Sequence, residues 1–144
     1  MKKKTERGPA HWFSGTVWLD EVASTISPSA LRVHGVTFEP CARMAWHEHP
    51  LGQVLYATQG LGLVCIGADA VRVMRAGDAV TVPPSVRHWH GSFPGHLFVH
   101  IAIQEAASDG STATWYEHVA DADYEAAAPE MAETTGEVKR SVLH

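Results

Sequence analysis

The chain has 144 residues, 45% hydrophobic and 19% charged, with a formal net charge of −5. That length suits one globular domain needing no disulfide or metal merely to fold, and the acidic balance disfavours nucleic acid as a partner. No apolar run approaches the ~20 residues of a membrane span and no apolar core follows Lys2, Lys3 and Lys4, so a cytoplasmic protein without a membrane partner is expected.

Residues 1–10 read as a flexible N-terminus, residues 11–128 as the folded domain and residues 129–144 as a tail. Inside the domain, β-prone segments follow closely at 16–19, 32–38, 44–47, 53–57, 63–66, 71–74, 79–82, 89–92 and 97–103. Turn residues separate them, among them Pro40, Gly52, the Gln59-Gly60 pair, Gly67, Gly77, Pro83-Pro84 and Pro94-Gly95. Many short strands at even spacing predict an all-β sandwich or barrel. Helical periodicity is first met over 121–128, with an aspartate as the expected cap. The polar stretch after it has little to bury, and is expected to be mobile or to order against a partner subunit.

Ten histidines are the compositional oddity. His47 and His49 form an HxH pair, and so do His88 and His90. Residues i and i+2 of a strand share a face, so each pair can aim both imidazoles at one point. A single histidine on an apolar face reads as a satisfied core or surface residue. Two pairs at matching strand parity read instead as a mononuclear metal site, and imidazole suits Zn, Fe, Mn, Ni and Cu. Gln53 follows His49 past a turn that can return its strand alongside. His100 and Gln104 share one strand face, leaving Val99, Ile101 and Ile103 on the other. His34 shares its face with Val36 and Phe38. If those faces look inward, His34, His90, His100 and Gln104 join the pocket as candidates for proton transfer.

His11, His96, His118 and His144 fall at loops or ends and read as surface residues. Arg43 shares parity with His47, which places it near the barrel mouth or in a surface ion pair. Trp46 and Trp89 alternate with the histidines and are expected on the opposite face, as core or subunit contacts. Cys41 and Cys65 form no CxxC and read as buried small hydrophobes.

The stretch CARMAWHEHPLGQVLYATQG resembles the first motif of the cupins. His47, His49 and Gly60 match that motif, Cys41 stands where a glycine is usual, and Gln53 replaces the acidic ligand. The stretch GDAVTVPPSVRHWHGS resembles the second motif through Gly77, Pro83 and His88, with Ser85 and Ser92 replacing its Gly and Asn. The resemblance implies a single cupin barrel, a double-stranded β-helix or jelly roll, with a short C-terminal helix and tail. It implies His47, His49, Gln53 and His88 as the ligands of one divalent metal. GPAHWFSGTVWLD, RHWHG, HIAIQE and WYEHVADADY are similar to the bacterial cupin hydroxynitrile lyases, over residues 8–124. That likeness implies Mn2+ (with Fe2+, Zn2+ or Ni2+ as alternatives) and cleavage or formation of (R)-cyanohydrins from a carbonyl compound and hydrogen cyanide. It also implies a homodimer or homotetramer with a small-molecule substrate.

Three imidazoles and an amide are all neutral, so the metal would keep its full charge. That favours Lewis-acid work on a carbonyl or alkoxide. The rival readings are an Fe- or Ni-dependent cupin dioxygenase and a non-enzymatic cupin that binds a metal or small ligand.

Overall fold

The computed structural model describes residues 4–23 and 25–128, as strands followed by one short helix. The tail expected over 129–144, with His144 in it, lies outside the described residues. The strands are β1 (Thr5–Arg7), β2 (Phe13–Ser14), β3 (Val17–Ala23), β4 (Leu31–Phe38), β5 (Arg43–Met44) and β6 (His47–Glu48). They continue with β7 (Gln53–Ile66), β8 (Arg72–Arg75), β9 (Ala79–Val82), β10 (His88–Ser92), β11 (Phe98–Glu105) and β12 (Thr114–Trp115), and α1 (Asp121–Ala127) follows. All pairings are antiparallel, and the sheet curls along the order β1-β3-β4-β11-β7-β10-β5-β2. β9 pairs with the first half of β7 and β8 with the second, while β6 lies between β10 and β12.

The expected turn at Gln59-Gly60 is absent: residues 53–57 and 63–66 belong to the single strand β7. A β-bulge stands in its place. Val99 pairs with Gln59 and His100 with Ala57, so Thr58 is the extra residue. One inserted residue exchanges the two faces of a strand. Before the bulge Gln53, Leu55 and Ala57 are buried and Val54 and Tyr56 exposed; after it Leu61 to Cys65 are all buried. Gly60 adopts φ 80, and a Cβ there would run into the Leu97 carbonyl. The glycine therefore bends the strand instead of ending it.

Other boundaries also differ from expectation. Thr5–Arg7, within the end expected to be flexible, pairs with β3, Glu6 opposite Leu19. The segment expected at 44–47 divides into β5 and β6. β12 was not expected, because two residues are too few to show alternation.

Two cores result. One fills the barrel, with Val36, Phe38, Leu55, Val64, Met74, Val82 and Phe98 at its centre. The other lies outside the β7–β10 wall, where Leu63, Val73, Trp89 and Phe93 meet Val119 and Tyr124. Trp46 packs against this second core and Trp89 is inside it, each opposite the histidine face. All five residues of β10 are consequently buried, His88, His90 and Ser92 on one side and Trp89 on the other.

Arg43 is neither at the mouth nor on the surface. It is 6% exposed, donates to the Val119 carbonyl at 2.7 Å, pairs with Asp121 at 2.5 Å and lies 4.5 Å over the Tyr124 ring. It ties α1 to the barrel through hydrogen bonds and a cation–π contact. Tyr124 adds a bond from its hydroxyl to the Ser92 carbonyl at 2.6 Å. The expected aspartate cap of α1 is replaced by Ala120, with no side-chain bond; Asp121 and Asp123 sit in the first turn, where the helix dipole favours negative charge. Cys65 is buried as expected, whereas Cys41 is exposed, at a left-handed φ of 69.

Candidate metal centre

His47 and His88 are cross-strand partners on β6 and β10, and their ring centroids are 4.2 Å apart. His90 follows on the same face of β10. His47, His88 and His90 can each bring a ring nitrogen within 4.8 Å of the others, a spacing one metal ion can bridge. His49, expected as a ligand, stands beside this trio, its centroid 5.1 Å from that of His47 and 5.3 Å from that of His88. Gln53, at the start of β7, has Oε1 3.2 Å from His88 Nε2. His90, expected to move protons, stands as near to the His47–His88 pair as His49 does, its centroid 5.3 Å from that of His47 and 5.7 Å from that of His88.

The hydrogen bonds settle which nitrogen each ring turns inward. His47 Nδ1 donates to the Ala45 carbonyl at 2.8 Å, His49 Nδ1 to Thr112 at 2.6 Å and His88 Nδ1 to Val86 at 3.0 Å. A neutral imidazole with its proton on Nδ1 has a lone pair on Nε2. Nε2 of His47, His49 and His90 is buried without a hydrogen-bond partner from the protein, which is costly unless an ion or a water is held there. Backbone carbonyls behind the rings are the usual orienting partners of metal-bound histidines. The residues present therefore fit a divalent metal.

Burial holds every one of these imidazoles in its neutral form. It lowers His88 to about 4 and His100 to about 3, and pushes His47 and His90 well below the usual histidine value. Neighbouring imidazoles add to this at His47, where His88 is the largest contributor, and at His90, where His100 is. His49 and His34 are lowered too, chiefly by burial. Among the described residues no carboxylate is buried, so the donors around the cluster are neutral.

His100 lies deeper, surrounded by Phe38 and Phe98, with Nε2 2.9 Å from His90 Nδ1. A cavity of about 230 Å³ opens beside the cluster, and His34, His49, Gln53 and Gln104 contribute its polar lining. Its apolar wall includes Trp12, Met44 and Trp115. Trp115 stacks on His47 at 4.6 Å and on Trp12 at 4.9 Å. Neither tryptophan was singled out from sequence, and the carbonyls of Ala45, Val86 and Thr112 leave no side-chain signal at all. His11, His96 and His118 are exposed.

An antiparallel β-barrel with a cluster of neutral histidines at one end of its interior defines a small metal-binding type of barrel. The cupin domain family model matches residues 35–99. The chain is 45% identical over 118 residues to (R)-mandelonitrile lyase from Granulicella tundricola, covering 82% of this chain and 89% of the relative. A solved cupin-like protein from Thermotoga maritima superposes with a TM-score of 0.80 at 33% identity, covering 89% of this chain and 95% of that one. A cupin 2 conserved barrel protein from Rhodopseudomonas palustris gives 0.67 at 14% identity, covering 78% and 77%, a likeness of fold. The chain belongs to the cupin family. No helix among the described residues is long and apolar enough to cross a membrane.

Proposed function

We propose that the protein is a metal-dependent lyase of the hydroxynitrile lyase kind, cleaving (R)-cyanohydrins to a carbonyl compound and hydrogen cyanide or running the addition in reverse. The observation that carries this reading is the set of buried, inward-facing lone pairs on neutral side chains, beside a small cavity with an aromatic wall. The relative named as a mandelonitrile lyase supports it. His47, His49, Gln53 and His88 would hold the metal, with His90 against the same point. Mn2+ is the proposed ion: an amide oxygen is a hard donor, and three imidazoles with an amide leave its charge undiminished. When bound, the metal supplies Lewis-acid stabilisation of negative charge on the substrate oxygen.

The chain's own groups handle the proton. His34 lies on the cavity wall and His90 at the cluster, and burial holds both as neutral bases at pH 7. One of them takes the hydroxyl proton; the O–H bonding pair becomes the carbonyl double bond, and the C–CN pair leaves with cyanide. The proton then passes to cyanide, which departs as hydrogen cyanide. Trp12 and Trp115 offer an apolar surface for the rest of the substrate, and Gln104 a polar contact. His100 holds the far side of the His90 ring.

The same reading takes the protein as a cytoplasmic homodimer or homotetramer. Leu31, Val54 and Tyr56 are exposed on the outer face of the sheet and suit contact with a second copy.

The test is elemental analysis of purified protein, followed by mandelonitrile cleavage with the metal removed and restored. Cleavage that returns with Mn2+ and consumes no oxygen supports the lyase. Oxygen uptake with a candidate substrate would instead indicate a dioxygenase, and metal binding without turnover a binding protein.

A further inference from the structure

We propose that Gln104 orients the side chain of Gln53, so that the amide turns its oxygen and not its nitrogen toward the histidine cluster; this rests on the metal-site reading above. A glutamine amide has an accepting end and a donating end of nearly equal size. Space alone therefore does not decide which end of Gln53 faces inward.

The neighbours do decide it. β11 and β7 pair with Ile103 opposite Val54, and the ladder runs on to bring Gln104 beside Gln53, both lining the cavity. Gln53 Nε2 donates to Gln104 Oε1 at 2.7 Å, while Gln53 Oε1 lies 3.2 Å from His88 Nε2. Because His88 Nδ1 donates to the Val86 carbonyl, His88 Nε2 carries a lone pair. Two accepting atoms thus face each other over 3.2 Å in a buried place. That arrangement is unfavourable by itself and becomes favourable with a cation between them.

Turned over, the amide would donate from Nε2 to His88 Nε2. It would satisfy that nitrogen without a metal and withdraw two ligand atoms at once. With Gln104 oriented as it is, its Oε1 accepts from Gln53 Nε2 and holds Gln53 against this rotation, and a carboxylate at 104, which has no donating end, tests that orientation. Gln104 is therefore a positioning residue: it selects the end of Gln53 that can bind a metal. A carboxylate at 104 can only accept, so it would fix the same arrangement. An apolar side chain of similar length would leave it free. A carboxylate at 53 has no wrong end, so it would not need the help.

The experiment measures Co2+ binding to the metal-free full-length protein by visible absorption. The proteins are the unmodified chain, Gln104→Leu, Gln104→Glu, Gln53→Glu and the double variant Gln53→Glu/Gln104→Leu, with a thermal melt of each. Gln104→Met serves in place of Gln104→Leu if the latter does not fold. We expect Gln104→Leu to weaken Co2+ binding by about 10- to 100-fold, the scale of lost orienting partners, and Gln104→Glu to keep it within about threefold. In the Gln53→Glu background, removing Gln104 should cost less than about threefold. Equal weakening in both backgrounds means a merely structural effect and overturns the orienting role. So does no weakening in the Gln53 background, or a loss in Gln104→Glu as large as that in Gln104→Leu. The metal-site reading fails separately, if the unmodified chain takes up no Co2+ or His88→Ala binds it equally well.

Discussion

His100 Nε2 lies 2.9 Å from His90 Nδ1, and neither ring is exposed at all. One of the two nitrogens must hold the proton between them, so each ring fixes the tautomer of the other. If His90 Nδ1 keeps that proton, its Nε2 presents a lone pair to the cluster. Replacing His100 with Leu removes the acceptor and leaves a buried N–H alone, at a cost of about 1–3 kcal/mol. The Gln variant can still accept. We expect His100→Leu to lower kcat about tenfold or more, and His100→Gln to recover part of it, with metal content unchanged in both. Steady-state kinetics beside elemental analysis checks this; unaltered kcat in His100→Leu removes the pair from the mechanism.

His88 touches every other ligand candidate, Gln53, His47 and His49, and His90 as well. His88→Ala should abolish both bound metal and cyanohydrin cleavage while leaving the fold in place. Metal content equal to that of the unmodified protein would end the ligand assignment.

Stability of the metal-free protein should fall as acid is added. The buried imidazoles titrate below their unfolded value, His88 at about 4 and His100 at about 3, from an ordinary 6.5. Between those limits the unfolded chain binds more protons, so unfolding free energy rises with pH. The loss starts as pH drops through 6.5 and levels off once the folded-state values are passed. Each imidazole contributes roughly 1 kcal/mol per pH unit inside its window. Melting temperatures measured from pH 7 to pH 4 should fall steeply, and added metal should postpone the fall. A flat profile would mean that these rings are not held neutral by burial.

Arg43 offers a test of the fold apart from the site. Removing it takes a buried cation from Val119, Asp121 and Tyr124 together. Arg43→Ala should cost about 2–4 kcal/mol in denaturant unfolding, with metal uptake preserved in the folded protein. A loss of metal uptake at unchanged stability would place Arg43 in the wrong role.

Much of this was legible in the residues. The paired parity of His47 with His49 and of His88 with His90, and the shared face of His100 and Gln104, follow from alternation alone; which face of β4 and β11 looks inward does not, because both faces are apolar. Alternation failed at Thr58, where an inserted residue exchanges the faces and Gly60 imitates a turn signal. It also failed at Arg43, whose partners Val119 and Asp121 are remote in sequence. The tautomers of the site were hidden for another reason: backbone carbonyls set them, and every residue type has one. Trp115 escaped because its strand is two residues long, so its place over His47 depends on pairing with β6.

The two walls of the barrel differ mechanically. Within a single chain, the wall carrying His88 and His90 has a packed interior on each side, whereas the wall carrying Gln53, His34 and Gln104 is covered on one side only, with Val54 and Tyr56 left for a second copy to cover. Stiffness follows packing density and protected backbone bonds. Amide hydrogens of β10 should therefore exchange among the slowest in the molecule, and those of β9 and the outer strands sooner. Breathing of the barrel would fall mainly to the wall that holds the amide pair, leaving the imidazole cluster as its fixed point.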